Sequence, residues 1–495
     1  MAAFGWNLVY GGKTPPPGEV VRPGERLSWP RTVGLGAQHV VAMFGATFVF
    51  PLVMGLNPNL AVMMSGVATI LFLLIVNGKI PSYLGTSASF VAGVAAIRAQ
   101  GGDSKEVTGS ILIAGLVLAA VGVFVHVTGG QVVQKVLPPA VTGAVVMLIG
   151  FNLAPVAASI YWPQDQWVAL LTTAFVIAAA VLFAGFWSRI AIFLGLVFGY
   201  VVSWLFDHIF GKINSVLGGA TQATDHHRVD WSGVKSADWL GFPAHTKILA
   251  DGKEAVGWHL PNFHWTFILL ILPSVIALLA ENAGHVKAVG EMTGDDLDPY
   301  LGRAFVGDGV GTAVASFVGG SPTTTYAENI GVMAATRIYS TAAYYVAAIV
   351  ALLLGFCPKF GAVISATPGG VLGGITLVLY GMIGLLGAKI WIENGVDFAN
   401  PVNLVPLAAG LIAGIGNVTL KFTDDFSITG IALGTIIALV GYHVVRWLAP
   451  PHLREEPQAA GRAYEGGAMI STGKVETPEG EISPFHVDEG GPRRE

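Results

Sequence analysis

Gly319-Gly320-Ser321-Pro322-Thr323-Thr324-Thr325-Tyr326-Ala327-Glu328-Asn329-Ile330-Gly331-Val332-Met333-Ala334-Ala335-Thr336-Arg337 lies embedded in apolar sequence and reads as a broken transmembrane element. Paired glycines and Pro322 are poor inside a helix, and three successive threonines favour extended backbone. Glu328 to Arg337 can still form about two or three helical turns. A helix start is therefore expected partway through a bilayer. Broken backbone at that depth survives only where it is buried in protein or lines a cavity, and a carboxylate there is costly unless it has a function. The stretch reads as a binding site.

Its surroundings support that setting. The chain has 495 residues, of which 53% are hydrophobic and 12% charged, with 65 glycines and a mean hydropathy of +0.65. Soluble proteins carry about 25% charged residues, so this is a polytopic membrane protein. A net charge of −5, carried in loops and tails, suggests no nucleic-acid partner. Cys357 is the single cysteine, which excludes an intramolecular disulfide. Residues 1–31 have no apolar core followed by a small-residue cleavage site and are expected to be a cytoplasmic tail.

Outward from the opening stretch, twelve apolar segments of about bilayer length fall near 33–54, 60–77, 106–128, 136–156, 166–186, 190–209, 265–287, 303–319, 340–356, 369–390, 401–416 and 427–448. Two interrupted pieces, about 81–97 and 321–337, raise the expected total to fourteen. Each is an extended stretch opening a short helix, and each stands third in its half of the chain when the division falls near 210–264. The fold class expected is all-α and polytopic, a seven-plus-seven inverted repeat. Paired broken helices are the best sequence pointer to a transporter site at the repeat interface.

An inside N-terminus puts Lys79, Lys135, Arg189, Lys287, Arg303, Arg337 and Lys389 on the cytoplasmic side, against Arg98, Lys105, Lys359 and Lys421 opposite. Both termini are expected in the cytoplasm. Residues 210–264 contain Asp225-His226-His227, His245, His259 and His264, whose spacing matches no recognised metal-ligand pattern, and an extracytoplasmic loop is expected. Residues 449–495, rich in Pro, Gly and Glu, are expected to be a disordered cytoplasmic tail.

Glu281 and His285 stand four apart on an intramembrane helix, near enough to hydrogen-bond, and read as a proton-carrying unit. Glu328 opens the second half-helix, where the positive end of the helix dipole favours an anion. Asp308 fits either a supporting partner of the site or a structural acceptor between helices, and Gln38 and His39 are equally open. Backbone N–H donors near Ala88 and Glu328, together with carboxylate acceptors at Glu281 and Glu328, complement a small flat ring that alternates carbonyls with N–H groups. Uracil or an oxidised purine meets that description.

Residues 327–337 also resemble the signature of the nucleobase–ascorbate transporters (nucleobase:cation symporter-2), an E/Q-N-x-G-x-x-x-x-T-K/R pattern carried here by Glu328, Asn329, Gly331, Thr336 and Arg337. Gln38-His39, Tyr83-Leu84-Gly85-Thr86-Ser87 and Glu281-x-x-x-His285 have counterparts there too, over about residues 30–448. Within the family, residues 280–289, 292–294, 303–309 and 324–328 are most similar to bacterial pyrimidine permeases and uracil–proton symporters.

The resemblance implies a core domain (32–128 and 265–356) rocking against a gate domain (129–209 and 368–448), commonly in a homodimer. It implies nucleobase binding by Glu281 and Glu328 with Ser87, Ala88, Tyr326 and Ala327, coupling of His285 to Glu281, and closure by Tyr380. Ala88 replaces a phenylalanine of some uracil symporters, so only its backbone amide transfers. The expectation is a proton-coupled importer of uracil or a related pyrimidine in a bacterial inner membrane, with H⁺ as coupling ion and no other cofactor. The rival substrate class is xanthine or urate. Anion transport on the same architecture is disfavoured by the two acids, and no nucleophile triad or cofactor fingerprint suggests an enzyme.

Overall fold

Helix starts along the chain are set by residues that occupy otherwise unbonded N–H groups. Asn57 caps the helix that follows it, Asp103 and Glu106 form a reciprocal capping box, and Asp165 and Asn400 cap two more. In this computed structural model the described residues are 5–16, 18–184, 186–217, 222–248, 254–422, 427–454, 464–465 and 468–469.

The main elements in chain order are α1 (Trp29–Ala42), α2 (Phe44–Met54), α3 (Pro58–Ile75), β1 (Leu84–Thr86), α4 (Val91–Ala99), α5 (Ser104–Thr128), α6 (Pro139–Phe151), α7 (Gln166–Leu182), α8 (Ala191–Phe210), α9 (Trp265–Ile271), α10 (Pro273–Thr293), α11 (Leu301–Phe317), β2 (Thr323–Thr325), α12 (Ala327–Thr336), α13 (Thr341–Gly355), α14 (Pro358–Ser365), α15 (Gly369–Glu393), α16 (Pro401–Ile415) and α17 (Gly430–Leu448). Every segment expected to be apolar contains a helix. Among the described residues, eight helical spans are long and apolar enough to cross a membrane, with α1 and α2 joined as Trp29–Met54, α6 continued as Pro139–Gln164, and α9 and α10 joined as Trp265–Thr293. The others fall short by length or shape: α7 and α16 are shorter, and α13 with α14 would be one span only if bent by 82°.

The two interrupted pieces meet. Strands β1 and β2 pair antiparallel, with Leu84 opposite Thr325, Gly85 opposite Thr324 and Thr86 opposite Thr323, and Ser87 N–H extends the ladder to Pro322 O at 2.9 Å. This pairing satisfies backbone groups that have no water to turn to. Gly85 is required at the crossing. A Cβ there would stand 2.5 Å from Thr47 Oγ1 and 2.6 Å from the Tyr326 ring. Each strand then opens a half-helix, through a 3₁₀ turn at Ala88–Phe90 into α4 and directly into α12.

Residues near the N-terminus are bound rather than loose. Trp6 Nε1 donates to Thr341 Oγ1 (2.8 Å), Thr341 Oγ1 to Pro23 O (2.8 Å), and Val21 bridges Ile338 just past α12. Residues up to Arg454 form one compact unit. Pro451–Arg454 is a helical turn to which Asn400 Nδ2 is bonded through Leu453 O (2.8 Å), so order continues past Ala449. Of the expected disordered tail beyond it, only the antiparallel pair of Tyr464–Glu465 with Ala468–Met469 is described, and the remainder lies outside the described residues.

The long loop is also built. Ile213–Ser215 pairs with Thr224–His226, and Arg228 bridges Asp165 (2.6 Å) and Asp207 (3.2 Å). Glu254 accepts from Ser104 (2.6 Å) and pairs with Arg98 (3.4 Å). The loop histidines are engaged separately. His245 stacks on Trp258, His264 on Phe267, and His259 is buried between Thr246 (2.8 Å) and Thr108 (3.0 Å). Burial lowers the His259 pKa against the opposing pull of the Gly257 and Ser104 carbonyls. Among the described residues no three His, Cys, Asp or Glu side chains gather as a metal site.

Candidate functional site

The strand crossing brings residues from both halves of the chain to one place. Ser89, in the turn that starts the first half-helix, donates to Glu281 Oε2 of α10 at 3.2 Å. Glu328 occupies the first turn of α12, a helix that packs against α10. Glu281 is half-buried, whereas Glu328 is exposed although the residues before it, Ser321 to Tyr326, are all buried. Nearby surfaces are open as well. A Cβ at Gly284, one turn from Glu281, or at Gly331, one turn from Glu328, would meet nothing within 4 Å.

The two helix starts differ in their caps. Ser87 Oγ accepts from Ser89 N–H (3.3 Å), and Ser87 is buried with its own N–H given to Pro322. Ala88 is half-buried, and its N–H has no backbone partner among the described residues outside its own turn. Tyr326 supplies no side-chain cap to α12. The start of that helix therefore relies on Glu328 itself, whose carboxylate accepts from its own backbone N–H, beside the half-buried Ala327.

His285 is placed differently from the expected hydrogen-bonded pair. Its Nδ1 lies 2.8 Å from Thr325 Oγ1, and Glu281 bonds Ser89 instead. Thr325 donates to Asn282 Oδ1 (3.1 Å), and Asn282 Nδ2 donates to Asp308 Oδ2. Since the Thr325 proton points at Asn282, the hydroxyl accepts from His285, which puts the imidazole proton on Nδ1 and leaves Nε2 as the second ring nitrogen. The i,i+4 spacing is real, yet a partner on a strand 40 residues away is closer in space.

The remaining expected residues sort by contact. Tyr326 points its phenol away from the opening: it donates to Thr86 O (2.7 Å) and accepts from Thr47 (3.1 Å), which locks the strand crossing. Asn329 Nδ2 donates to His39 O (3.0 Å) and faces His39 Nδ1 (3.1 Å), while the His39 ring lies 4.4 Å from that of Tyr344. Gln38 is half-buried and makes no hydrogen bond with a described residue. Thr336 bonds back to Val332 O (2.9 Å), and Arg337 ends the helix at φ 58° with its carbonyl taken by Val21 N–H (2.9 Å). Tyr380, on α15, is buried against Phe50 with ring centroids 6.3 Å apart, and its hydroxyl has no hydrogen-bond partner among the described residues. Sequence reasoning missed Ser89, Asn282, Thr325 and Thr47. Ser89 and Thr325, small hydroxyl residues beside the breaks, carried a local signal, whereas Asn282 in α10 and Thr47 in α2 carried none.

Comparison with known proteins fits this arrangement. A model of the Permease family matches residues 30–422. The chain belongs to this family, the nucleobase:cation symporter-2 permeases. It is 41% identical over 450 residues to the putative pyrimidine permease RutG of Escherichia coli, covering 89% of this chain and 95% of that one. It is 36% identical to the uracil permease of Bacillus caldolyticus, over 82% and 90% of the two chains. Among solved structures, the murine anion transporter Slc26a9 superposes with a TM-score of 0.60 at 9% identity, covering 85% of this chain and 68% of that one. The transmembrane domain of the cyanobacterial bicarbonate transporter BicA superposes with a TM-score of 0.52 at 14% identity, covering 83% and 96%. At such identities the likeness establishes the fold alone. Family and helices together make this a multi-pass membrane permease rather than an enzyme.

Proposed function

We propose that the protein imports uracil or a related pyrimidine by proton symport, with the base bound between the two half-helix starts. The observation that carries this reading is the convergence of Glu281 and exposed Glu328 at those starts, one of which lacks a side-chain cap. Carboxylates accept from ring N–H groups and free backbone N–H groups donate to ring carbonyls, which suits a flat neutral base. The same two acids would repel an anion, and the permease relatives named for uracil and pyrimidine point the same way.

In this reading fourteen segments form two inverted sets of seven, in a homodimer of the bacterial inner membrane with both termini cytoplasmic. A core (32–128 and 265–356) alternates access against a gate (129–209 and 368–448) across the loop at 210–264. Tyr380 closes from the gate, and its unpaired hydroxyl offers the base a partner. Glu281 carries the coupling proton, and His285, steadied by Thr325, conditions it. No cofactor beyond H⁺ is needed. One proton entering across 100 mV releases about 2.3 kcal/mol, enough for roughly fifty-fold accumulation of a neutral base.

Proteoliposomes containing the purified protein test this. Labelled uracil should accumulate only under an inward proton gradient, and unlabelled uracil should compete better than xanthine. Equal accumulation with the gradient collapsed would reject symport, and stronger competition by xanthine would move the substrate class to purines.

A further inference from the structure

Away from the nucleobase site, α5 and α11 cross with almost no space between their backbones. A Cβ at Gly122 would stand 2.5 Å from Val306 N, and one at Gly302 would stand 2.4 Å from His126 N. This contact sets Arg303, in the first turn of α11, beside His126 at the end of α5. The end of α3 completes a cavity of about 320 Å³, lined by Leu74, Asn77, Val123, His126, Arg303 and Val306.

The lining is divided by chemistry. Leu74, Val123 and the neighbouring Phe124 are exposed side chains on helices long and apolar enough to cross a bilayer. Asn77, His126 and Arg303 gather where α3 and α5 end and α11 begins, and Lys79 and Lys135, both exposed, follow those two helix ends in sequence. Arg303 is half-buried and makes no hydrogen bond or ion pair with a described residue, although Asp298 lies only five positions earlier. An arginine held in a cavity mouth without an acidic partner is a natural phosphate ligand, because its planar fork matches phosphate oxygens two at a time.

We propose that this cavity binds an anionic phospholipid, with the headgroup phosphate on Arg303 and His126 and an acyl chain along Leu74 and Val123. Charge complementarity selects the anionic headgroup, and the exposed apolar walls select a lipid over a soluble phosphate. Basic pockets between membrane helices commonly take such headgroups. The site is separate from the nucleobase machinery, so its failure would leave the transport reading untouched.

Native mass spectrometry of the detergent-solubilised full chain tests it, by titration with phosphatidylglycerol, with phosphatidylcholine of the same acyl chains, and with inorganic phosphate. Wild type should prefer phosphatidylglycerol. Arg303→Ala should bind it about fivefold more weakly, the effect of one basic residue near a lipid surface. Arg303→Lys should keep most of the preference, and His126→Ala should lose part of it. Equal binding of the two lipids by wild type, or unchanged phosphatidylglycerol binding by Arg303→Ala, would overturn the assignment. Displacement of the lipid by inorganic phosphate at similar concentration would also overturn it, in favour of a soluble-anion site. Should Arg303→Ala fail to fold, Arg303→Gln and the wild-type lipid preference give the same reading.

Discussion

The two broken elements follow the same backbone course, a three-residue strand turning into a short helix, yet they are finished differently. The first has a side-chain cap: Ser87 Oγ takes the Ser89 N–H, the Ser87 N–H is given to Pro322, and the acid Glu281 reaches its start from α10 through Ser89. The second has no side-chain cap and carries its own acid, Glu328, in the first turn, exposed. Its far end is fastened instead, by Arg337 in the left-handed region and by the N-terminal residues bonded to it. The two elements thus share a backbone course while differing in how their helix starts are capped and exposed.

Four substitutions probe that difference, the largest effect first. Glu281→Gln cannot release or take up a proton but keeps a carbonyl acceptor, so gradient-driven uracil accumulation should vanish while exchange of labelled for unlabelled base persists. Full accumulation by this variant in proteoliposomes would shift suspicion to Glu328 or Asp308. Glu328→Gln keeps the shape, brings in an N–H₂ donor and removes the charge. It should weaken uracil binding by about 2 kcal/mol or more, roughly thirty-fold, in calorimetry on purified protein. An unchanged affinity would show that the open helix start does not hold the base.

Tyr380→Ala leaves both half-helices intact and should slow net transport several-fold while thermal unfolding shows a folded protein. Wild-type rates would remove Tyr380 from closure. Ser89→Ala is expected to be mildest. Losing one hydrogen bond to Glu281 should cost about 1 kcal/mol, near fivefold in uracil affinity, with proton coupling retained. A loss as large as that of Glu328→Gln would mean that the first half-helix is no mere scaffold.

Much of this was legible before any coordinates. Pro322, the paired glycines and the threonine run announced a break, and the helix start at Glu328 could be placed beside it, because both signals are local. That the two breaks pair with each other was not legible: three residues in extended form carry no mark of a partner so far along the chain. His285 teaches the same lesson from the other side. Helical spacing correctly placed it one turn from Glu281, but spacing cannot see Thr325, nor the Asn282 that orients Thr325, nor the buried Asp308 at the end of that chain. Tyr326 lies inside the motif and was grouped with the binding residues, although only its backbone adjoins the open helix start and its phenol is committed to Thr86. The docked N-terminal residues escaped notice because short backbone bridges such as that of Val21 to Ile338 leave no compositional trace.

The pairing of β1 with β2 also bears on how the molecule is made. Thr86 and Tyr326, joined at the crossing, are 240 positions apart. At about 5–20 residues per second of synthesis, the first strand leaves the ribosome roughly ten to fifty seconds before its partner exists. For that interval its N–H and C=O groups lack their neighbour in a medium that offers no substitute. Closing so long a loop is also a slow, late step. The strand crossing is therefore among the last features to take shape, and a nascent chain halted in its first half holds one strand of it with nothing yet to complete it.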